Sequence, residues 1–371
     1  MAGIGIVIIP RMTTIKILLL LAFSFIHAYA NEQTSDCGEV NLSQELGEIR
    51  NQSNVGWCFA NTAADLLTVS HKSELFYHFQ SQAQNSSLKS TDLQVSSIFS
   101  ALHYFRSQVD GGTNHKEVFN SGGYILDAIQ IIQQKGFICP QSLDVLLIET
   151  GSKSLLKEKF IKFEEIYSTY QDYIKTRSEK SKEQFFKMIQ ELESNNTFLS
   201  AYNAEQIKSV LTQATLESAV MKLLDLVCEN KKIAITKKLS FEKMTSYGDN
   251  TNTYYSSKVK NRVGYEVFQK TIDTVLNNKR PLGIAYNVGN VLKEPKISSG
   301  AHASVISGRK LINNECFYQI RNSWGSECTR YVDINKPDYP IYSYSCVKGT
   351  FWVPQKDLKF LLDEIVYEEA P

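Results

Sequence analysis

From Cys58 onward, Phe59, Ala63, Leu66, Leu67 and Ser70 recur at steps of three and four, the spacing of one helix face. A turn-prone run, Ser53-Asn54-Val55-Gly56, precedes them, so the pattern predicts a long helix from Cys58 to Phe79. A second helix is predicted from Asp92, a capping residue type, through Ile98, Phe99, Leu102 and Phe105. A third runs from Gly123 through Ile132 and stops at Gly136. Lys157–Glu193 and Glu205–Glu229 carry apolar positions at helical steps among many Lys and Glu, and read as two amphipathic helices forming a hairpin. Ser246–Lys260 reads as a loop returning to the core. The pattern then changes. After a helix at Thr271–Asn278, Pro281–Tyr286, Ala303–Gly308, Cys316–Arg321 and Thr350–Val353 read as strands. Asn313-Asn314 marks a turn between two of them, and Leu358–Ile365 has the spacing of a closing helix. Helices first and strands afterwards predict an α+β fold.

Composition alters this picture little. The 371 residues are 43% apolar and 21% charged, ample for one large domain or two smaller ones. A net charge of +1 gives no argument for nucleic acid or an anionic membrane as partner. The amino-terminal end adds more. Arg11 and Lys16 precede a short apolar run, Ile17–Ala30, ending Ala28-Tyr29-Ala30. That is a signal peptide over 1–30, cleaved near Ala30, too short to serve as a stable membrane anchor; Met12 is an alternative start. The mature chain is expected to be secreted or periplasmic. Seven cysteines suit that oxidising destination. Setting Cys58 aside leaves Cys37, Cys139, Cys228, Cys316, Cys328 and Cys346, an even set whose connectivity sequence does not choose. Cys328 and Cys346 bracket a Pro- and Tyr-rich loop, and a bond closing it is the favoured pair.

Cys58 falls at a predicted helix N-terminus, where unpaired N–H groups and the dipole favour a thiolate. Gln52 lies a tight turn upstream, placed to aim its amide at the same point. With the cysteine's own N–H it would make a two-donor oxyanion hole. A thiol nucleophile needs a base and the base needs an orienting group. His302, in Gly300-Ala301-His302-Ala303-Ser304, and Asn322, in Arg321-Asn322-Ser323-Trp324-Gly325, supply them in that order. In these residues the chain resembles the papain-like cysteine proteases, and Asn120-Ser121-Gly122-Gly123-Tyr124 resembles the family's Gly-Gly cleft wall. It departs from the family's Gln-Gly-x-Cys-Gly-Ser-Cys-Trp pattern: Val55 stands for the first cysteine, Trp57 for the serine and Phe59 for the tryptophan. The disulfide usual beside the nucleophile is therefore impossible here, and a bulky Trp57 is expected to cover part of the cleft.

The resemblance implies a two-subdomain fold, a helical left domain against an antiparallel β right domain, spanning 31–371. The stretch 153–263 has no family counterpart and reads as a helical insertion packed on the catalytic core. The implied chemistry is peptide-bond hydrolysis by Cys58, His302, Asn322 and Gln52, with Trp324 shielding the Asn–His contact. Gly122, Gly123, Ile125, Ala285 and Ala303 are expected to line the substrate site. An apolar, roomy pocket there predicts preference for Leu, Val, Phe or Tyr over Arg, Lys or Asp. Protein or peptide substrates are the implied partners; oligomeric state is left open. No His-Glu-x-x-His, phosphate-binding Gly-Lys loop or Gly-x-Ser-x-Gly elbow occurs, so no metal or other cofactor is implied. Two readings stand beside hydrolysis: a silent binding protein on the same fold, and an acyl transferase using the same thioester. Cys58 and His302 are expected to titrate as a coupled thiolate–imidazolium pair with a bell-shaped activity profile.

Overall fold

The computed structural model describes residues 37–52, 56–82, 93–108, 122–141, 144, 155–194, 204–246, 262–287, 300–326, 344 and 346–369. Residues 1–38 and 39–371 are two compact units, and the elements below belong to the second. The expected signal peptide lies outside the described residues, as does Asp92.

After β1 (Val40–Asn41) and the one-turn α1 (Ser43–Leu46) comes α2 (Cys58–Ser70). Every residue of α2 from Cys58 to Thr68 is buried, the mark of a helix packed on all sides. Alanines at 60, 63 and 64 let neighbours approach closely. The long helix expected here is two: it breaks at His71 and resumes as α3 (Lys72–Gln82). Helix α4 (Ser97–Gln108) starts where the Ser96 hydroxyl accepts from the Phe99 N–H at 3.0 Å, an ordinary N-cap. Helix α5 (Ile125–Lys135) ends at Gly136, whose φ of 77° is the left-handed turn that glycine adopts without strain.

β2 (Phe137–Ile138) leads to α6 (Leu155–Thr176), α7 (Glu179–Ser194), α8 (Ala204–Leu211) and α9 (Leu216–Cys228). The segment expected to hold two helices thus holds four α-helices among the described residues. Arg177, at φ 53°, turns the chain between α6 and α7. Strands β3 (Ile233–Ala234), β4 (Phe241–Ser246) and β5 (Arg262–Val263) follow, and the return loop expected over Ser246–Lys260 lies, apart from Ser246, outside the described residues. Nor does the segment merely rest on the core. Phe163, Ile166, Tyr170, Val210 and Leu224 share one buried cluster with Phe59, Leu66, Phe99 and Ile129. β3 pairs with β2, and a disulfide joins Cys139 to Cys228 at the end of α9.

Helix α10 (Tyr265–Asn277) is followed by β6 (Leu282–Asn287), β7 (Ala301–Ile312), β8 (Glu315–Arg321), β9 (Cys346–Val347), β10 (Thr350–Pro354), α11 (Gln355–Leu361) and β11 (Leu362–Glu368). Among the described residues the main sheet has nine strands in the order β5-β4-β11-β6-β7-β8-β10-β9, with β1 also on β7. Its pairs are antiparallel except β4–β5. Asn313 and Asn314, at φ 52° and 63°, make the β7–β8 hairpin turn. The closing helix expected over Leu358–Ile365 is corrected: it stops at Leu361, and β11 lies between β6 and β4. Ile365, Val366 and Tyr367, good strand formers, fill that slot. The result is an α+β architecture with α2 packed between the helical layer and the sheet.

Cys37, Cys316 and Cys346 are disulfide-bonded as well. Cys328 lies outside the described residues, and with it the expected Cys328–Cys346 pairing.

Candidate active site

Three segments converge at the N-terminus of α2. The first carries Gln52, whose N–H donates to the Ser323 carbonyl at 2.8 Å and whose Oε1 accepts from the Ser323 hydroxyl. Beside it Asn51 bridges to Trp324, and the Gly325 N–H donates to the Arg50 carbonyl at 2.9 Å. The Gln52 segment is therefore laced to the Asn322 segment residue by residue. The second is α2 itself, where Cys58 is a free thiol in the first turn. The third is β7–β8, which presents His302 and Asn322.

His302 Nε2 and Asn322 Oδ1 are 2.7 Å apart. An amide oxygen only accepts, so Nε2 carries the proton and the neutral ring keeps its basic lone pair on Nδ1. Asn322 Oδ1 is fixed in turn by the Ser323 N–H at 2.8 Å and the Ser304 hydroxyl at 3.4 Å. Trp324 stacks on the imidazole, with centroids 4.4 Å apart and planes 30° apart, and Tyr286 meets it edge-on at 5.5 Å. Trp57 does not stand in the cleft as expected. It is 2% exposed, with its ring 6.4 Å from Phe105 under α4.

Cys58 and His302 are 8% and 5% exposed. Burial pushes the Cys58 thiol up, against backbone hydrogen bonds from Ala303, Phe59 and Cys58 itself that favour the thiolate. Burial pushes His302 down to about 4, against the Asn322 contact. Both directions favour a neutral thiol–imidazole pair at neutral pH, opposite to the ion pair expected from the helix N-terminus alone. The helix amides act as anticipated, but removal of water outweighs them. The hydrogen bond from Ala303, the strand neighbour of His302, places the sulfur against that strand.

A neutral, buried His302 has a consequence for stability. Between about pH 6.5 and 4 the unfolded chain binds a proton that the folded chain does not, so stability falls as pH drops through this window. Melting curves at pH 7, 5.5 and 4.5 should show the midpoint decline, and His302→Gln should flatten it. Equal slopes in both proteins would contradict the assignment.

The two glycines expected in the cleft wall have different surroundings. A Cβ on Gly123 would lie 2.7 Å from both Phe59 and Tyr104 ring atoms, whereas Gly122 faces open space. Ile125, the first residue of α5, is buried, and a Cβ on Gly283 would reach it at 3.3 Å. Across the sheet Ala303, Ala285 and Glu364 sit in register on β7, β6 and β11. The apolar row of alanines therefore ends on a carboxylate. Burial raises the Glu364 pKa against the attraction of Lys243 at 3.4 Å, and the Lys243 ammonium also lies 5.6 Å from the Tyr124 ring centre. Glu364 lies in the stretch whose spacing reads as a closing helix.

The sequence matches no family model, and no curated protein matches it. Solved structures similar to it include PepW from Lactobacillus rhamnosis, at 12% identity over 99% of this chain and 94% of that one, with a TM-score of 0.40. SERA5E from Plasmodium falciparum is 13% identical over 92% of this chain and 94% of that one, at 0.40. Digestive procathepsin L 3 of Tenebrio molitor is 10% identical over 91% and 72%, at 0.39. What this chain does is decided by its own side chains.

Proposed function

We propose that the chain is a papain-like cysteine peptidase, exported after cleavage of its signal peptide near Ala30. The reading is carried by one observation: Asn322 engages His302 through Nε2, leaving Nδ1 as the base, on a strand whose Ala303 hydrogen-bonds the Cys58 sulfur. In the reaction Cys58 Sγ attacks the scissile carbonyl, and its proton passes to His302 Nδ1. The oxyanion is held by the Gln52 amide and the Cys58 N–H. Collapse expels the amine, which takes the proton from His302, and leaves a thioester. Water then attacks that thioester with His302 as base. Asn322 keeps the imidazole in the required tautomer, and Trp324 shields their hydrogen bond from water.

The disulfides fit an oxidising compartment, and among the described residues no helix is long and apolar enough to cross a membrane. An active-site-directed epoxide should add its mass to the peptide bearing Cys58 and abolish hydrolysis of a casein-derived peptide pool. Absence of both adduct and hydrolysis would favour the silent binding protein, to which the low exposure of Cys58 and His302 also lends support. Gln52→Ala should cost about 10²–10³ in kcat with little change in KM, read from initial rates on one fluorogenic peptide.

Gly122, Gly123, Ile125, Ala285 and Ala303 are proposed to line the pocket for the second side chain on the acyl side of the cut bond. Lys243 neutralises Glu364 at its far end, so Leu, Val, Phe and Tyr remain the expected choices there. Lys243→Ala should free the carboxylate and raise the share of Arg in a positional-scanning library. An unchanged profile would place Glu364 outside the pocket.

A further inference from the structure

Asp65 lies two turns along α2 from Cys58 and is 4% exposed. Its two oxygens hold two different arginines. Oδ1 accepts from Arg50 Nε at 2.5 Å, and Oδ2 accepts from Arg321 Nε at 3.0 Å. Both guanidiniums are buried. Arg50 stands two residues before Gln52, and Arg321 immediately precedes Asn322. Each arginine has further anchors: Arg50 on the Thr68 hydroxyl at 3.4 Å, Arg321 on the Gly47 carbonyl at 3.0 Å and on the Glu48 carbonyl. The second buried carboxylate nearby, Asp144, accepts from the Ser97 N–H at 2.9 Å at the start of α4 and lies 4.0 Å from Arg50. Two buried carboxylates therefore face two buried guanidiniums.

We propose that Asp65 is a positioning residue, joining the segments that carry Gln52 and Asn322 to the helix that carries Cys58. The inference rests on the peptidase reading above. The Asn322 segment is far in sequence from the other two, and each of the three contributes one group to the site. An apolar contact would let them slide, because dispersion is non-directional. A carboxylate whose two oxygens each take a guanidinium N–H fixes distance and angle together. Displacement by about 1 Å in such a site costs about 10²-fold in rate, so the clamp matters to turnover more than to binding. Asp65 touches neither substrate nor the reacting atoms, and acts through Arg50 and Arg321.

Asp65→Asn removes the charge, and Arg321→Lys keeps a charge while losing the Nε donor and the planar fork. The control is Asp273→Asn, which breaks a comparable ion pair with buried Arg309 away from the site. All are compared at temperatures where circular dichroism shows them folded. Expected for Arg321→Lys and Asp65→Asn is a fall of about 10²-fold in kcat, with KM within about threefold and recovery of most of the rate in Asp65→Glu. The imidazole ¹⁵N shifts of His302 should move from a single Nε2–H tautomer towards a mixture. Asp273→Asn should lower the melting midpoint while leaving kcat and the tautomer unchanged. Folded Asp65 and Arg321 variants with wild-type kcat would overturn the proposal, as would an equal loss of kcat in Asp273→Asn. If the wild-type protein hydrolyses no peptide while the His302 tautomer still shifts in Arg321→Lys, the peptidase reading fails and the clamp on His302 stands.

Discussion

Cys58→Ala is expected to lower peptide hydrolysis by roughly 10³- to 10⁶-fold while leaving the melting midpoint near that of the wild type. The expectation follows from position rather than from residue type. The sulfur is the free thiol at the first turn of α2, with backbone groups of Ala303, Phe59 and Cys58 turned towards it. On the proposed reaction, removing it deletes the atom that would form the thioester and leaves His302 and the proposed oxyanion donors nothing to assist. The site of loss is small and lies against small neighbours, so the fold should lose little. Cys58→Ser is the sharper comparison. It restores the volume and a hydroxyl, yet a neutral imidazole in a dry site gains little by ionising a hydroxyl of much higher pKa than a thiol, so activity should stay near that of Cys58→Ala. Purified protein, a fluorogenic peptide and a thermal melt suffice. Wild-type turnover in Cys58→Ala would transfer the chemistry to some other group.

Cys139→Ser with Cys228→Ser is expected to destabilise the fold by roughly 4–5 kcal/mol in the chain-entropy account, since the bond closes a loop of 89 residues. Both sulfurs are buried, at the junction of the core with α9. Without the bond the unfolded chain regains the freedom of that loop, while the apolar cluster shared by α2, α4, α6 and α9 must hold the segment alone. Urea unfolding of the double variant, fitted to a two-state transition, measures the difference. A change below about 1 kcal/mol would mean that strain or residual structure cancels the loop term. The same burial bears on assays. Mild reductant that keeps Cys58 reduced should not reach Cys139–Cys228 in the folded protein, so activation and unfolding should occur at well-separated reductant concentrations.

The helical half of the fold was readable where a single period governed a long stretch. Phe59, Ala63, Leu66 and Leu67 announced α2, and Gly136 announced the end of α5. The β7–β8 hairpin was readable because Asn313-Asn314 separates two apolar runs. The last strand was not. Leu358, Leu361, Leu362 and Ile365 have helical spacing, and only the empty place between β6 and β4 made residues beyond Leu361 extend. At the site, Cys58, Gln52, His302 and Asn322 were nameable because each role demands a residue type in a given order. The Asp65 clamp was invisible, since a single Asp on a helix looks solvent-facing until two buried arginines are found against it. The low exposure of the thiol and imidazole was equally hidden, because burial at a cleft depends on what packs across it. That burial pushes the Cys58 thiol up and His302 down, against the directions expected from the helix N-terminus.

The place of β11 in the sheet has a consequence for biosynthesis. In the sheet β11 stands between β4 and β6, and its residues are made after both. While the chain is still emerging from the ribosome, the sheet therefore has a gap at its middle, flanked by two strands with unsatisfied edges. Such edges are sticky, and the gap cannot fill until Leu362–Glu368 have cleared the exit tunnel. An export route that keeps the chain extended until translocation would spare it this half-built state. Truncation before Leu362 should yield a protein that accumulates as aggregate rather than as a slightly weakened fold.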